Sequence, residues 1–192
     1  MSQVRLWISI FFGLAYNAIQ LSQGYDTFHY LTKFGGITFG NYKLAATFIA
    51  SVALKHRSFV WALLEKNAST RIEDVLTVPV ETADFLDGLR SFINEYGAHF
   101  KNHAPVDDKA VKTIFNTLSV HRENFALLDR PGSPIPPLIQ CSESQVIRPL
   151  SGATGDNLML FLLNSLQRSY PKEYDRAQQG RERVMQRAVE GC

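Results

Sequence analysis

The stretch TADFLDGLRSFINEYGAHF, residues 82–100, decides the fold class because its apolar residues recur at helical spacing along its whole length. The recurring positions are Phe85, Leu86, Leu89, Phe92, Ile93, Tyr96 and Phe100. Residues three and four apart lie on one face of an α-helix, so the stretch predicts an amphipathic helix with a buried face. Pro79 stops the preceding segment, and Thr82 opens the helix.

Further segments on both sides of this stretch show helical patterning. They are residues 4–21, 41–66, 107–118, 158–166 and 171–190. Asn41 and either Asp107 or Asp108 stand where caps are expected, and Pro171 suits a first helical turn. We therefore expect a mainly α fold in which residues 1–192 form a single helical domain around one core.

Residues 130–137 interrupt the helices, because they hold four of the eight prolines. Proline lacks a backbone N–H and fixes φ, so this stretch predicts an extended crossing. Residues 138–141 and 145–150 are short β-compatible runs separated by polar residues. This pattern predicts one small β-hairpin near residues 138–150.

The composition is that of an ordinary globular domain, with 45% apolar and 20% charged residues. A net charge of +2 argues against a surface that is basic throughout, so only a local patch could bind nucleic acid. Cys141 and Cys192 form neither a disulfide framework nor a CxxC pair, which predicts a reducing, cytoplasmic location.

The N-terminus offers an alternative location, because Arg5 precedes the apolar run of residues 6–16 as in a signal peptide. Residues 18–24 lack a small-x-small cleavage site, however. A membrane span is not expected, since Arg5, Asn17 and Gln20 interrupt the segment.

The spacing of two histidines makes one metal site worth considering. His99 and His103 are four residues apart, and Glu95 is four residues earlier, so all three could share a helix face. Gly97 and Pro105 flank the pair, however, and favour a solvated helix end. We therefore expect no metal, with His99 and His103 as the only candidates for one.

Other catalytic motifs are absent from the sequence. Asp107, Asp108 and Lys109 have the D-x-K spacing of metal-dependent nucleases, but at the start of a helix the acids are better explained as caps. The glycine turns at residues 35–40 and 152–155 complete no phosphate-binding motif, and there is no GxSxG elbow. These observations predict no cofactor and favour a protein that is not an enzyme.

The last helix is expected to carry a group of basic residues that could contact phosphates. They are Arg168, Lys172, Arg176, Arg181, Arg183 and Arg187. Four acids, Glu173, Asp175, Glu182 and Glu190, are interleaved with them. Mixed charges at helical spacing are more typical of an exposed helix with many ion pairs, and a nucleic-acid surface is the alternative.

A resemblance begins at residue 136, with PPLIQCSESQVIRPLSG followed by NLMLFLLNSLQRSYPKEYDRAQQGRERV. These segments resemble the helical part that precedes a nuclease domain of the PD-(D/E)xK type in large bacterial proteins. Its most specific elements are Tyr170, Pro171, Lys172, Tyr174, Asp175, Arg176, Ala177, Arg181 and Glu182. The resemblance implies a nucleic-acid-related bacterial setting and no catalytic residues in this chain.

The function that we expect is a non-catalytic helical interaction or regulatory module in such a system. Residues 171–190 have only a modest apolar stripe, so we expect this helix to dock on a partner protein or a second copy, or to form a junction to another domain. Two alternatives remain: a small metal-dependent hydrolase using His99, His103 and the Asp107 region, or direct nucleic-acid binding through the basic helix.

Overall fold

The computed structural model describes residues 31–66, 80–100, 103–124, 134–148 and 155–190. Side chains of residues 54–66, 155–156, 181, 184–185 and 187–188 are not described within these ranges. The helix predicted for residues 4–21 lies outside the described residues. The five helices of the described part are α1 (Phe39–Lys66), α2 (Thr82–Gly97), α3 (Asp108–Leu118), α4 (Gly155–Ser169) and α5 (Pro171–Glu190). The mainly α fold is confirmed.

Helix α1 is the central element, since it packs against α2, α3 and α4. Residues 39–47 of its first half are all buried, including the polar Asn41, Lys43 and Thr47. A helix segment that is buried on every side lies inside the protein. Asn41 does not cap it, because the helix begins two residues earlier, at Phe39. The Asn41 amide instead donates to the Ala104 carbonyl at 3.3 Å.

A two-stranded ribbon precedes α1 and was not predicted. Its strands are β1 (Lys33–Phe34) and β2 (Ile37–Thr38), which pair antiparallel. Gly35 and Gly36 form the turn with φ of 57° and 82°. Two consecutive positive φ angles suit a tight hairpin turn and are readily adopted by glycine.

Helices α2 and α3 form a layer against α1. Phe85, Leu89, Phe92 and Ile93 of α2 are buried, as their spacing predicted. The α1 ring of Phe48 lies 5.6 Å from that of Phe85 and 5.2 Å from that of Phe92, measured between centroids.

Asp107 caps α3, because its carboxylate accepts the Ala110 N–H at 2.7 Å. Asp108 forms an ion pair with Arg90 of α2. The acids of the D-x-K triplet therefore have the structural roles expected for the start of a helix.

The predicted hairpin near residues 138–150 is confirmed as β5 (Leu138–Gln140) and β6 (Gln145–Ile147). Two short strands extend it, β3 (Val80–Glu81) and β4 (Ser119–His121), giving a sheet in the order β3-β6-β5-β4. β4 pairs with β5 in parallel, and the other pairs are antiparallel. The added strands have two and three residues, too few for an alternating pattern to be visible.

The end of the Pro-rich crossing is held by a side chain of α4. Residues 134–136 are neither helix nor strand, and Asn157 binds both backbone groups of Ile135. Its Oδ1 accepts the Ile135 N–H at 2.8 Å, and its Nδ2 donates to the Ile135 carbonyl at 2.7 Å.

One buried apolar cluster includes residues from every described helix, from Phe39 of α1 to Tyr174 of α5. None of the described helices is long and apolar enough to cross a membrane.

Candidate functional site

The helix face that was considered as a candidate metal site does not form. Helix α2 ends at Gly97, so His99 and His103 do not share a helix. His99 is exposed, whereas the ring of His103 lies against Gly97, in the space that a Cβ on that residue would occupy. Within the described residues, no group of three or more His, Cys, Asp or Glu side chains could hold a metal ion.

The imidazole ring of His103 lies in a partly buried environment. Both of its ring nitrogens are buried without a hydrogen-bond partner in the described structure. Burial lowers the pKa of His103, because the charged imidazolium is poorly solvated there. The arrangement therefore favours a neutral imidazole packed against the end of α2.

The junction between α4 and α5 is fixed by a group of hydroxyls in the core. Tyr170, between the two helices, lies against Gly35 of the β1–β2 turn, and its hydroxyl is hydrogen bonded to that of Tyr42. Tyr42 also interacts with Thr117 and donates to the Phe34 carbonyl at 3.3 Å. Burial, together with the neighbouring Tyr170, raises the pKa of Tyr42 above its usual range.

Helix α5 consists of two unlike halves. The inner half packs on the body of the protein through Tyr174, which is 9% exposed, and Ala177. In the outer half, residues 179–190, every described side chain is exposed, and Val189 is 76% exposed. The outer half is about 18 Å long, at 1.5 Å per residue, and its side chains on the Tyr174 side, at positions 181, 184, 185 and 188, are among those not described.

The six basic residues predicted as a phosphate surface do not form one group. At about 100° per residue, Lys172, Arg176, Arg183 and Arg187 fall within about 60° of each other on α5, opposite Tyr174 and Ala177. Of these four, the side chains of Lys172, Arg176 and Arg183 are described, and all three are exposed. We call these four positions the basic face of α5.

The two remaining bases lie elsewhere. Position 181 falls on the same side of α5 as Tyr174, where a helical-wheel projection of the sequence would already have placed it. Arg168 belongs to α4 and lines a cleft instead.

This cleft, which we call the α3–α4 cleft, was not predicted from the sequence. It has a volume of about 200 Å³. Its lining residues come from the end of α3, from β4, from the Pro-rich crossing and from one face of α4: Asn116, Thr117, Ser119, Val120, Pro134, Phe161, Asn164, Ser165, Arg168 and Ser169. Thr117, Ser119 and Phe161 are buried, whereas Asn116, Arg168 and Ser169 are exposed.

Gln140 of β5 orients two of the cleft residues. Its side-chain Nε2 donates to Oδ1 of Asn116 at 3.4 Å and to Oγ of Ser119. Since both acceptor atoms are engaged in this way, the Asn116 NH₂ group and the Ser119 hydroxyl proton remain as donors.

Comparison with known proteins identified no relationship: no family model, no curated protein and no solved structure matches the chain. The candidate site must therefore be interpreted from its own geometry.

Proposed function

We propose that the protein is a non-catalytic helical module that binds a partner protein through the outer half of α5. The observation that carries this proposal is the contrast within one helix, where the inner half is anchored by Tyr174 and the described side chains of the outer half are exposed. The resemblance of the C-terminal segment to nuclease-associated helices suggests that the partner belongs to a nuclease-related bacterial system.

The outer half of α5 would be only marginally stable as an isolated helix. Isolated helices shorter than about 12–15 residues are marginal in water. Gly180 adds a cost of about 1 kcal/mol relative to alanine. Packing against a partner would supply stabilisation that the sequence of the outer half does not.

The sequence of the outer half indicates how such a partner would bind. Val184, Met185 and Ala188 continue, at helical spacing, the stripe that begins with Tyr174 and Ala177. A helix with a stripe of this kind is recognised by an apolar groove, through residues at positions i, i+3, i+4 and i+7. The proposed partner is therefore a protein that offers such a groove.

Site-specific photo-crosslinking in cells that produce the full chain tests this proposal. A photoreactive residue at position 189 should give an adduct of one discrete mass, and one at the exposed Lys112 of α3 should not. Val184→Asp should abolish the adduct, because it places a charge in the stripe. Gln186→Asp, on the opposite side of the helix, should leave it unchanged. An adduct that is equally insensitive to both substitutions would contradict the proposal.

A second candidate function is direct nucleic-acid binding through the basic face of α5. It is favoured because Lys172, Arg176 and Arg183 form no ion pair or hydrogen bond with any described side chain. Among the described side chains, the interleaved acids thus leave these three cations available for phosphates.

Salt dependence distinguishes this second candidate. Each phosphate contact contributes about 0.9 to the slope of log K against log salt concentration for duplex DNA. The variant Lys172→Gln/Arg176→Gln/Arg183→Gln should therefore reduce the slope by about 2 to 3. The matched control is Lys33→Gln/Lys109→Gln/Lys112→Gln, which removes three exposed charges elsewhere. The basic face would be excluded as the binding surface if both variants reduced the slope equally. It would also be excluded if the unmodified protein bound no nucleic acid at about 50 mM salt.

A further inference from the structure

The α3–α4 cleft has a chemical character that neither proposed function uses. Its side chains include one cation, Arg168, and six neutral polar groups, and no carboxylate. The neutral groups are Asn116, Thr117, Ser119, Asn164, Ser165 and Ser169. A lining with these properties can offer several hydrogen-bond donors to one ligand.

The helical spacing of α4 explains why its donors converge. Phe161, Asn164, Ser165, Arg168 and Ser169 are at positions i, i+3, i+4, i+7 and i+8, so they share one helix face. The polar side chains among them have no hydrogen-bond partner among the described residues. These groups are therefore not committed to holding the fold together.

On the wall opposite α4, hydrogen bonds from Gln140 determine which groups of α3 and β4 remain available as donors. Gln140 occupies the acceptor atoms of Asn116 and Ser119, so their N–H and O–H groups can point to a ligand. The Thr117 hydroxyl is already used, since it donates to the Thr113 carbonyl at 2.8 Å. The wall opposite α4 thus adds two donor groups, the Asn116 amide and the Ser119 hydroxyl, to those of α4.

We propose that the α3–α4 cleft binds a small molecule that carries an oxyanion, either a carboxylate or a phosphate group. Arg168 provides the charge, because a guanidinium matches the two oxygens of such a group with parallel N–H donors. Asn164, Ser165, Asn116 and Ser119 provide neutral donors around it.

The size and the apolar walls of the cleft restrict the ligand further. A volume of about 200 Å³ is below the roughly 300–1,000 Å³ of pockets that hold drug-sized ligands. Val120, Pro134 and the buried Phe161 line the remaining surface and would contact the carbon part of the ligand. The cleft is therefore suited to a small organic acid or phosphate ester, and not to a polymer.

The partial negative charge at the C-terminal ends of two helices opposes the binding of an anion in the cleft. Helices α3 and α4 both end at the cleft, and the carbonyls of a last turn carry partial negative charge. An oxyanion can therefore bind only if Arg168 offsets this potential. Removal of Arg168 should consequently weaken binding more than removal of any neutral donor.

Titration of the full-length protein with inorganic phosphate and, separately, with acetate tests the proposal, using amide NMR at constant ionic strength. We expect saturable shifts at Ser119, Asn164 and Arg168. Arg168→Gln should weaken binding by about tenfold or more. Ser165→Ala, which changes no charge, should weaken it less. Lys172→Gln is the matched control, because it removes an exposed charge that does not line the cleft, and it should have no effect.

The two probes separate the two ligand classes. Tighter binding of phosphate would identify a phosphate ester as the ligand class, and tighter binding of acetate a carboxylate. No saturable shift with either anion would overturn the proposal. Equal weakening by Arg168→Gln and Lys172→Gln would also overturn it, because binding would then reflect the general positive charge of this region.

Discussion

Tyr170 lies directly over Gly35, so closely that a Cβ on Gly35 would be 2.5 Å from the Tyr170 hydroxyl oxygen. The contact joins the β1–β2 turn to the point where α4 gives way to α5, although the two residues are far apart in sequence. Because α5 begins one residue after Tyr170, this contact helps to set the position of the helix on which both proposed functions depend.

Gly35→Ala should destabilise the protein more than Gly36→Ala. Both residues have positive φ, which costs about 1–2 kcal/mol for a residue with a side chain. Only Gly35 has Tyr170 in the space of the new methyl group, whereas nothing lies within 4 Å of a Cβ on Gly36. The measurement is the free energy of unfolding in urea. Equal losses for the two variants would show that the Tyr170 contact contributes nothing.

Gly97→Ala should destabilise the protein by about 1–3 kcal/mol, because the methyl group would overlap the His103 ring. Gly180→Ala is the control, since its Cβ would meet nothing within 4 Å. It should be neutral or stabilising by up to about 1 kcal/mol. His103→Ala in the Gly97→Ala background should recover part of the loss. If the two substitutions changed the free energy of unfolding additively in the double variant, the two residues would not interact.

The stability of the protein should depend on the protonation of His103. Burial lowers the pKa of His103 in the folded state, so the unfolded chain takes up a proton first as the pH falls. The free energy of unfolding should therefore decrease as the pH falls below the unfolded value of 6.5, and the effect should level off below the folded pKa.

Urea denaturation at several pH values between 8 and 5 measures this dependence. His103→Gln should reduce the decrease in stability, because glutamine does not titrate. His99→Gln, at an exposed position, should retain it. If His103→Gln and the unmodified protein lost stability in parallel, the decrease would have to come from other groups.

Asn94→Ala should destabilise the protein by about 1–3 kcal/mol, because Asn94 binds both backbone groups of Val106. Its Oδ1 accepts the Val106 N–H at 2.8 Å, and its Nδ2 donates to the Val106 carbonyl at 3.1 Å. Asn94→Asp keeps the first bond and loses the second. It should therefore also be destabilising, since a carboxylate would face a carbonyl. Thermal unfolding of the two variants tests this role, and melting temperatures equal to that of the unmodified protein would refute it.

Much of the helical fold follows from the sequence, because its helices are long enough for periodicity to show. Helix α2 keeps its apolar spacing over 16 residues, and Asp107 caps α3 as its residue type suggests. Asn41 is different, because a polar residue after a glycine resembles a cap, yet it lies inside a buried helix and binds a distant carbonyl. Strands β3 and β4 depend on pairing with β6 and β5 and have no signature of their own.

The candidate site was less accessible to sequence reasoning. The basic face of α5 could have been found by projecting residues 171–190 on a helical wheel. The α3–α4 cleft could not, since Asn116 and Ser119 are 49 and 46 residues before Ser165 in the chain. Only the packing of α3 on α4 brings these residues together. His103 shows a different failure, because its neighbours in sequence favoured a solvated helix end, whereas tertiary packing holds the ring against Gly97.

Amide hydrogen exchange of the dilute monomer tests most directly whether the outer half of α5 lies beyond the core. Phe92 and Ile93 are buried in α2 and should exchange only when the whole protein unfolds. We predict that Val184 and Met185 exchange far faster, through local fraying of residues 179–190. Protection of Val184 and Met185 as strong as that of Phe92 and Ile93 would show that this half belongs to the core, and would contradict its role as the surface that binds a partner.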